Sequence, residues 1–394
     1  KALTCPWEGP QFVDRAVVLV RDGAIEAVGP AAELAVPEGY AVVDLGARWL
    51  MPGMIDLHCH VAGMSLFEVN DLNDLVYLAN PGLRAIAAVV PRKDTLVRAV
   101  AGGVTSVLYI PGSGSNIGGQ GVLLKTGDER FEDMLIRQPG SMKLAQAGNP
   151  ERWGFQPGRS LQNWNTRHTL RRGIANARAR RAVEGDPSAE LRFSDPQWDV
   201  FGALLAGTTQ ISAHTQVYQV VLATITIVRQ ELGLPVYIDH GTIGGWKTGA
   251  LAHAAGVPAI VGPRAIDTTS LGFQRASAAT LPGIRGVAAG YQSLGHDMVG
   301  FNTDSPVVPE EELSVQAACG ARYGFRDDAL QVVRGLTIVP ARAAGIDGRV
   351  GSLEPGKDAD LLVVTGHPAD PRTAVLRVWI EGKTVYSAEE GRLW

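Results

Sequence analysis

The sequence predicts an α/β protein, a (β/α)8 TIM barrel with a small β-sandwich domain built from both chain termini. Three observations predict this fold. Both ends of the 394-residue chain are rich in short β-like runs, whereas the middle alternates apolar runs with helix-like segments. The alternating part spans about 290 residues, a good size for a barrel with insertions. We therefore expect residues 1–50 and 346–394 to form the β-sandwich domain and residues 51–345 to form the barrel.

The terminal segments carry the pattern of β-hairpins. Ala16–Val20 and Ala24–Val28 are apolar runs separated by Asp22-Gly23, and an Asp-Gly pair at such a place is a strong hairpin signal. Near the other end, Asp360–Thr365 is a strand-like run, and a second tight turn is predicted around Glu381-Gly382. A β-domain assembled from both ends of the chain explains this distribution.

The middle of the chain contains short apolar runs that are candidate barrel strands. They are Met54–Leu57, Val104–Ile110, Gly121–Lys125, Ser141–Leu144, Thr209–Ala213, Val236–Asp239, Pro258–Val261 and Met298–Asn302. Helix-like patterns lie between several of them, at Thr95–Ala101, Leu161–Val183, Val217–Leu232 and Asp327–Gly335. This alternation favours parallel βα units. We interpret the arginine-rich stretch 154–194 as an insertion over one face of the barrel.

Composition and charge exclude several classes of partner. The formal net charge is −4 and no block of like charges occurs, so we expect neither a nucleic acid nor an anionic membrane as a partner. No apolar run approaches the roughly eighteen residues of a transmembrane helix. Cys5, Cys59 and Cys319 lie far apart and form no CxxC motif, so no disulfide framework is predicted.

The expected partner is therefore a small-molecule substrate, and a homo-oligomer stays open. A cytoplasmic location is expected because no signal-peptide pattern is present. An exported form is the alternative, since the chain begins with Lys1 and a targeting segment could have been trimmed.

The strongest motif is Pro-Gly-Met-Ile-Asp-Leu-His-Cys-His, residues 52–60. Residues two apart in a strand point to the same face, so His58 and His60 would both face the barrel interior. They would converge at the carboxyl-terminal mouth, where TIM barrels carry their chemistry. Two such imidazoles suit zinc or a similar divalent metal. An HxH pair alone is a weak signal, and a structural role explains it as well.

Three further polar residues stand just beyond apolar runs, at the same rim of the predicted barrel. They are His214, His240 and Asp304. With the HxH pair they would complete a metal site. The other histidines fall in helical or loop-like sequence, and we expect structural roles for His168, His253, His296 and His367.

Two lysines compete for a further role at this site. Lys143 lies on the fourth predicted strand, and Lys125 ends the third. A lysine inside an apolar barrel is costly unless its charge is compensated. Carboxylation by CO2 would turn it into an anion that bridges two metals, and we favour Lys143 over Lys125 for this role. The simpler alternative is a cation that binds an anionic group or lies at the surface.

These residues resemble the amidohydrolase superfamily, and the resemblance spans nearly the whole chain. The HxH strand, a lysine on strand four, histidines on strands five and six, and Asp304 on strand eight occur in the family's order. Residues 351–361, Gly-Ser-Leu-Glu-Pro-Gly-Lys-Asp-Ala-Asp-Leu, are similar to the segment that leads from barrel to β-sandwich in this superfamily. Residues 101–107 and 141–148 resemble the branch of imidazolonepropionase and the prolidase-like dipeptidases, and residues 114–120 resemble a mostly uncharacterised subgroup of it.

The resemblance implies a hydrolase that cleaves a C–N bond, in an amide, a dipeptide or a cyclic amide, with a metal-activated water. It implies one or two divalent metal ions, zinc before manganese or iron. The implied metal ligands are His58, His60, Lys143, His214, His240 and Asp304. Asp304 would be the catalytic base, and in a single-metal version His240 would orient the water or substrate.

Two other functions remain open at this stage. A deaminase on the same scaffold usually carries a glutamate two or three residues after the strand-five histidine, and Gln216 and Val217 stand there instead. A non-catalytic binding protein would be expected to have lost ligands. Tyr218, Trp246 and Arg264 are candidate substrate contacts, and loop 112–120 is a candidate source of backbone N–H groups for a carboxylate.

Overall fold

The structure is a computed structural model that describes residues 1–63, 73, 75, 77–146, 148–152, 156–188, 195–263, 266–267 and 285–391. Its strands are β1 (Ala2–Leu3), β2 (Phe12–Val13), β3 (Ala16–Arg21), β4 (Ala24–Pro30), β5 (Trp49–Pro52), β6 (Met54–Cys59), β7 (Val104–Tyr109), β8 (Ile117–Lys125), β9 (Leu135–Ala145), β10 (Ile211–Thr215), β11 (Val236–His240), β12 (Ala259–Val261), β13 (Ile266–Asp267), β14 (Arg285–Gly286), β15 (Val299–Phe301), β16 (Leu361–Val364), β17 (Val375–Ile380) and β18 (Lys383–Ser387).

Helices connect most of these strands. The α-helices are α1 (Asp94–Ala101), α2 (Phe131–Met134), α3 (Asn149–Arg152), α4 (Arg159–Ala182), α5 (Asp199–Ala206), α6 (Tyr218–Ala223), α7 (Gly249–Ala255), α8 (Val287–Ser293), α9 (Leu313–Arg322), α10 (Gln331–Leu336) and α11 (Ile338–Ala343). A π-helical stretch, Thr224–Glu231, continues α6, and short 3-10 turns lie at Ala85–Ala88, Pro196–Trp198, Gly245–Thr248 and Glu310–Glu312.

An eight-stranded sheet forms the barrel predicted from the sequence. Its strands follow one another in chain order, from β6 through β12 to β15. Cys59 pairs in parallel with Ser305, just beyond β15, and the His60 N–H donates to the Ser305 carbonyl at 2.9 Å. These contacts join the first strand to the last. The (β/α)8 barrel prediction is confirmed, and each predicted apolar run coincides with one of its strands.

The prediction of uniformly parallel strands is wrong at β8. This strand pairs in antiparallel fashion with both β7 and β9. A parallel neighbour needs a crossover of a dozen or more residues. The chain provides only residues 110–116 before β8 and residues 126–134 after it. Because β8 is reversed, its first residues lie at the catalytic mouth and Lys125 lies at the opposite end.

The terminal domain is a β-sandwich built from both ends of the chain, as predicted. A six-stranded sheet has the order β18-β17-β16-β5-β1-β2, and β3 and β4 form a separate hairpin. The two chain ends meet where β5 pairs antiparallel with β16, with Leu50 opposite Val363. Both residues are buried in a small core that also contains Ile25 from the hairpin. Apolar burial between the sheets therefore joins the two ends.

Lys125, in the barrel, forms ion pairs with the segment 351–361 that leads into the terminal domain. Its side chain is fully buried, and its Nζ donates to Asp358 Oδ2 at 2.8 Å and to Asp360 Oδ2. Both aspartates belong to the 351–361 motif. Asp360 is buried, and burial raises its pKa while the Lys125 charge acts in the opposite direction. Lys125 thus has a structural partner far from the mouth.

We expect Lys125→Met to lower the free energy of unfolding by about 3–5 kcal/mol, since the change leaves Asp360 as a buried charge without its cation. Urea denaturation followed by circular dichroism measures the loss. Lys383→Met, at an exposed lysine of β18, is the matched control and should change stability little. Equal stabilities for wild type and Lys125→Met would contradict this structural role.

The arginine-rich stretch contains the helix predicted at Leu161–Val183. Helix α4 runs for 24 residues within the connection between β9 and β10. It packs tightly on α5, because a Cβ added to Gly173 would lie 2.3 Å from the Phe201 ring. Its arginines lie mainly toward solvent, with Arg167 and Arg171 paired to Glu231. Within the described ranges, no helix is both long and apolar enough to cross a bilayer.

Candidate metal centre

The carboxyl ends of four parallel barrel strands bring the predicted site residues together. His58 lies in β6 with His60 just beyond it, and Asp304 follows β15. His214 lies at the end of β10, and His240 is the last residue of β11. These side chains are distant in sequence and converge because parallel strands end at one face of the barrel.

The first of two overlapping groups contains His58, His60 and Asp304. Each offers one ligand atom, and the three atoms lie within 4.8 Å of one another. Asp304 Oδ1 is 3.3 Å from Nε2 of both histidines. Two imidazoles and a carboxylate form a donor set suited to zinc and related divalent metals.

The second group contains His58, His214 and His240, again with ligand atoms within 4.8 Å of one another. His240 Nε2 lies 2.8 Å from His214 Nδ1, and the rings of His58 and His240 have centroids 4.6 Å apart. Because His58 belongs to both groups, its imidazole lies at the middle of the centre.

Lys143 is the lysine that the fold brings to this centre. Its side chain is fully buried, and its Nζ lies 3.0 Å from His58 Nε2. Lys143 pairs in register with Ser212, two residues before His214 on the neighbouring strand. Lys125 is held at the other end of the barrel by its two aspartates, so of the two candidates only Lys143 lies at this centre.

Backbone carbonyls fix the orientation of two of the histidine rings. The His60 Nδ1–H donates to the Ile110 carbonyl at 2.9 Å, and the His240 Nδ1–H donates to the Gly262 carbonyl at 2.7 Å. In this arrangement the Nε2 lone pair of each ring points into the centre. Metal-ligating histidines generally have their second nitrogen bound in this way.

Asp239 is a residue of the centre that the sequence reasoning missed. Its Oδ2 lies 3.2 Å from His58 Nδ1, and both side chains are fully buried. Alternation along β11 would put Asp239 and His240 on opposite faces. His240 has φ +68°, and this left-handed conformation lets both side chains reach the centre. An acidic residue in the otherwise apolar run Val236–His240 was the available signal.

A second missed carboxylate, Asp56, joins the first and last strands beneath the centre. Its Oδ1 accepts the His58 N–H at 2.8 Å. Its Oδ2 accepts the Thr303 N–H at 2.8 Å and the Thr303 hydroxyl at 2.7 Å. Asp56 thereby fixes the backbone beside two residues of the centre, His58 on the first strand and Asp304 after the last strand.

The pKa shifts favour neutral imidazoles and an ionised Asp304. Burial lowers the pKa of His58 well below its usual value and also lowers that of His240, so their lone pairs are free to bind metal at neutral pH. Burial by itself would raise the pKa of Asp304, but the hydrogen bond with His60 and the charges of His240 and Lys143 outweigh it and lower that pKa. Asp239 differs, because burial raises its pKa well above the usual value.

Three N–H groups of loop 112–120, a candidate source of backbone donors, are hydrogen-bonded within the protein. The Gly114 N–H donates to Asn73 Oδ1 at 2.7 Å, and the Ile117 and Gln120 N–H groups donate to backbone carbonyls at 3.1 and 2.7 Å. The loop instead contributes a side chain, since Ser113 Oγ lies 2.9 Å from His214 Nδ1.

The three candidate substrate contacts, Trp246, Tyr218 and Arg264, lie in different surroundings. Trp246 is buried, and its ring lies against Gly290 of α8, where an added Cβ would be 2.6 Å from it. This residue has a packing role. Tyr218 is half-buried in the first turn of α6, directly after β10, and stays a candidate. Arg264 lies outside the described residues.

Comparisons with known proteins agree with this architecture. A model described as the amidohydrolase family matches residues 270–385. The solved structure of an amidohydrolase from Thermotoga maritima MSB8 has a TM-score of 0.80 and 29% identity, and the match covers 94% of each chain.

Two curated proteins match nearly the whole chain. Amidohydrolase tasK of Hapsidospora irregularis is 26% identical, over 95% of this chain and 40% of its own length. Imidazolonepropionase of Brucella anthropi is 27% identical, over 90% of this chain and 88% of its own length. The chain therefore spans less than half of tasK and most of the bacterial relative.

Proposed function

Since the chain belongs to the amidohydrolase superfamily, we propose that it is a metal-dependent hydrolase that cleaves a C–N bond of a small molecule. The observation that carries the proposal is the convergence of four buried imidazoles and one carboxylate at the barrel mouth. Neutral rings with fixed lone pairs are a costly arrangement unless they bind a cation. The donor set fits one or two divalent ions, with zinc as the first expectation.

The residues that would hold the metal follow from the two groups. His58, His60 and Asp304 would bind one ion. His214 and His240 would bind a second, with carboxylated Lys143 as the bridge. A divalent metal supplies Lewis acidity, which lowers the pKa of water from about 15.7 to about 7 and provides hydroxide at neutral pH.

Asp304 is suited to move the proton in this reaction. Its side chain is 16% exposed, whereas that of Asp239 is 0% exposed, so Asp304 is the carboxylate that a substrate can reach. Its lowered pKa keeps it ionised and able to accept a proton from the attacking water. It would then give that proton to the departing nitrogen, which leaves as a neutral amine. With a single metal, His240 would orient the water or substrate.

The substrate class follows from the reaction type and the relatives' names. The Brucella anthropi relative is an imidazolonepropionase, and an imidazolone ring contains a cyclic amide. We therefore place cyclic amides first, followed by N-acyl amino acids and dipeptides. The deaminase alternative has less support, because Gln216 and Val217 stand where a deaminase usually carries the glutamate that moves its proton.

The test is metal quantification on protein purified without chelator, followed by a screen of cyclic amides, N-acyl amino acids and dipeptides. We expect one or two equivalents of a transition metal and turnover of one class, abolished by a chelator and restored by zinc. Ammonia release from aminated heterocycles would favour the deaminase. Protein that binds no metal would overturn the hydrolase proposal.

Lys143→Met should lower the metal content of the catalytic centre at saturation by one equivalent, because the bridging anion is removed. Lys143→Glu should recover part of the second equivalent, since it returns a carboxylate to a similar place. Elemental analysis after equilibrium dialysis measures both. An unchanged metal content in Lys143→Met would exclude the bridge and favour the single-metal version.

A further inference from the structure

We propose that His253, His296 and Asp297 form a second, peripheral site for a divalent transition metal. Each offers one ligand atom, and the three atoms lie within 4.8 Å of one another. His253 lies in α7, four residues before Val257, and the chain then enters β12. His296 and Asp297 lie just before β15. The cluster therefore lies at the amino-terminal end of the barrel strands, opposite the catalytic mouth.

His296 is the residue that makes this cluster more than a surface ion pair. It is 3% exposed, and its Nε2–H donates to the Val257 carbonyl at 3.0 Å. That hydrogen bond leaves Nδ1 as the lone-pair nitrogen, and Nδ1 accepts a long hydrogen bond of 3.4 Å from the Met298 N–H, which a metal ion would have to replace. One ring nitrogen donates and the other accepts, which is the hydrogen bonding of a neutral imidazole. A neutral imidazole held through its other nitrogen by a carbonyl is the usual state of a metal-binding histidine.

His253 and Asp297 supply the two solvent-facing donors. His253 Nδ1 lies 3.1 Å from Asp297 Oδ1, and the rings of His253 and His296 are 6.1 Å apart between centroids. An exposed ion pair accounts for the first contact and contributes little to stability. The ion pair does not explain why a third donor, the buried imidazole of His296, lies in the same small volume. A metal ion bound by His253, His296, Asp297 and water would explain why these donors lie together.

The donor set defines the class of metal. Two imidazoles and one carboxylate favour zinc, cobalt or nickel over magnesium or calcium, which prefer oxygen ligands. Water would complete a tetrahedral site. Such an ion would connect the end of α7 to the start of β15, and it would stabilise the folded chain in proportion to its occupancy.

The experiment is a cobalt or zinc titration of metal-free full-length protein, read by equilibrium dialysis and elemental analysis. Wild type should bind one more equivalent than His253→Gln or Asp297→Asn, or bind that equivalent more than about tenfold more tightly. His168→Gln is the matched control, because this exposed histidine stacks on Trp164 of α4, away from the cluster. It should bind as wild type does.

A second measurement separates this site from the catalytic centre without any assay of turnover. In a His58→Asn/His214→Asn background, which removes a ligand from each ion of the catalytic centre, zinc should still raise the melting temperature, and adding His253→Gln should remove that rise. If His253→Gln and Asp297→Asn bind as much metal as wild type, the peripheral site does not exist. Loss of the equivalent in His168→Gln as well would also overturn the proposal, because the binding would then be unspecific.

Discussion

Asp304→Asn is expected to lower kcat by about 10²–10⁴-fold, the contribution of a positioned general acid–base. The amide cannot accept the proton of the attacking water or deliver it to the leaving nitrogen. Asn suits this position in other respects, because Asp304 has φ +50° and Asn tolerates the left-handed region well. Steady-state kinetics on the substrate from the screen, with metal content measured in parallel, provide the check.

The interpretation depends on the metal remaining bound in Asp304→Asn. Asp304 Oδ1 also faces His58 and His60, so some loss of affinity is expected, and assays at saturating zinc correct for it. Asp44→Asn, at an exposed aspartate of the terminal domain, should leave kcat unchanged. Near-normal turnover in Asp304→Asn at full metal occupancy would assign the proton transfer to another group.

His58→Asn is expected to lower metal binding at the catalytic centre more than any other single histidine replacement there. It removes a ligand of the first ion, and its imidazole also lies within 4.8 Å of the His214 and His240 donors, so the second ion is weakened as well. His60→Asn removes a ligand from the first group alone and His240→Asn from the second alone, so each should keep part of the metal. Equilibrium dialysis against zinc gives the order of the three variants. Equal losses in all three would argue against a shared ligand.

Asp239→Asn should lower the metal affinity less than His58→Asn does. It keeps the imidazole but replaces the carboxylate that lies 3.2 Å from His58 Nδ1. Removal of such a supporting carboxylate typically costs 10–100-fold in metal affinity or activity. We therefore expect Asp239→Asn to bind metal more weakly than wild type, and His58→Asn to lose the first ion altogether. Wild-type affinity in Asp239→Asn would mean that the carboxylate does not orient the ring.

The positions of the barrel strands and the polar residues at their ends could be predicted from the amino-acid sequence. Each apolar run between Met54 and Asn302 that we predicted as a strand coincides with one. Short apolar runs and the polar residues behind them are local signals. The direction of β8 did not follow from the alternation of apolar and helix-like runs, because it depends on the short connections 110–116 and 126–134, which are too short for parallel crossovers.

The roles of Asp239 and Asp56 could not be predicted from sequence motifs. Both stand inside apolar strands, next to the histidines that drew attention. Their contacts depend on strand register and, for Asp239, on the left-handed backbone of His240. Side-chain direction at a strand end changes with a single φ angle, so period-two counting fails there.

The chemistry of the centre could be inferred from residue types alone, because imidazoles and a carboxylate at strand ends suit few purposes other than a divalent metal. The choice between Lys143 and Lys125 could not. It depended on contacts in the folded chain, since Lys125 is neutralised by Asp358, 233 residues away. Burial and charge pairing arise from residues remote in sequence, and only the folded chain brings them within bonding distance.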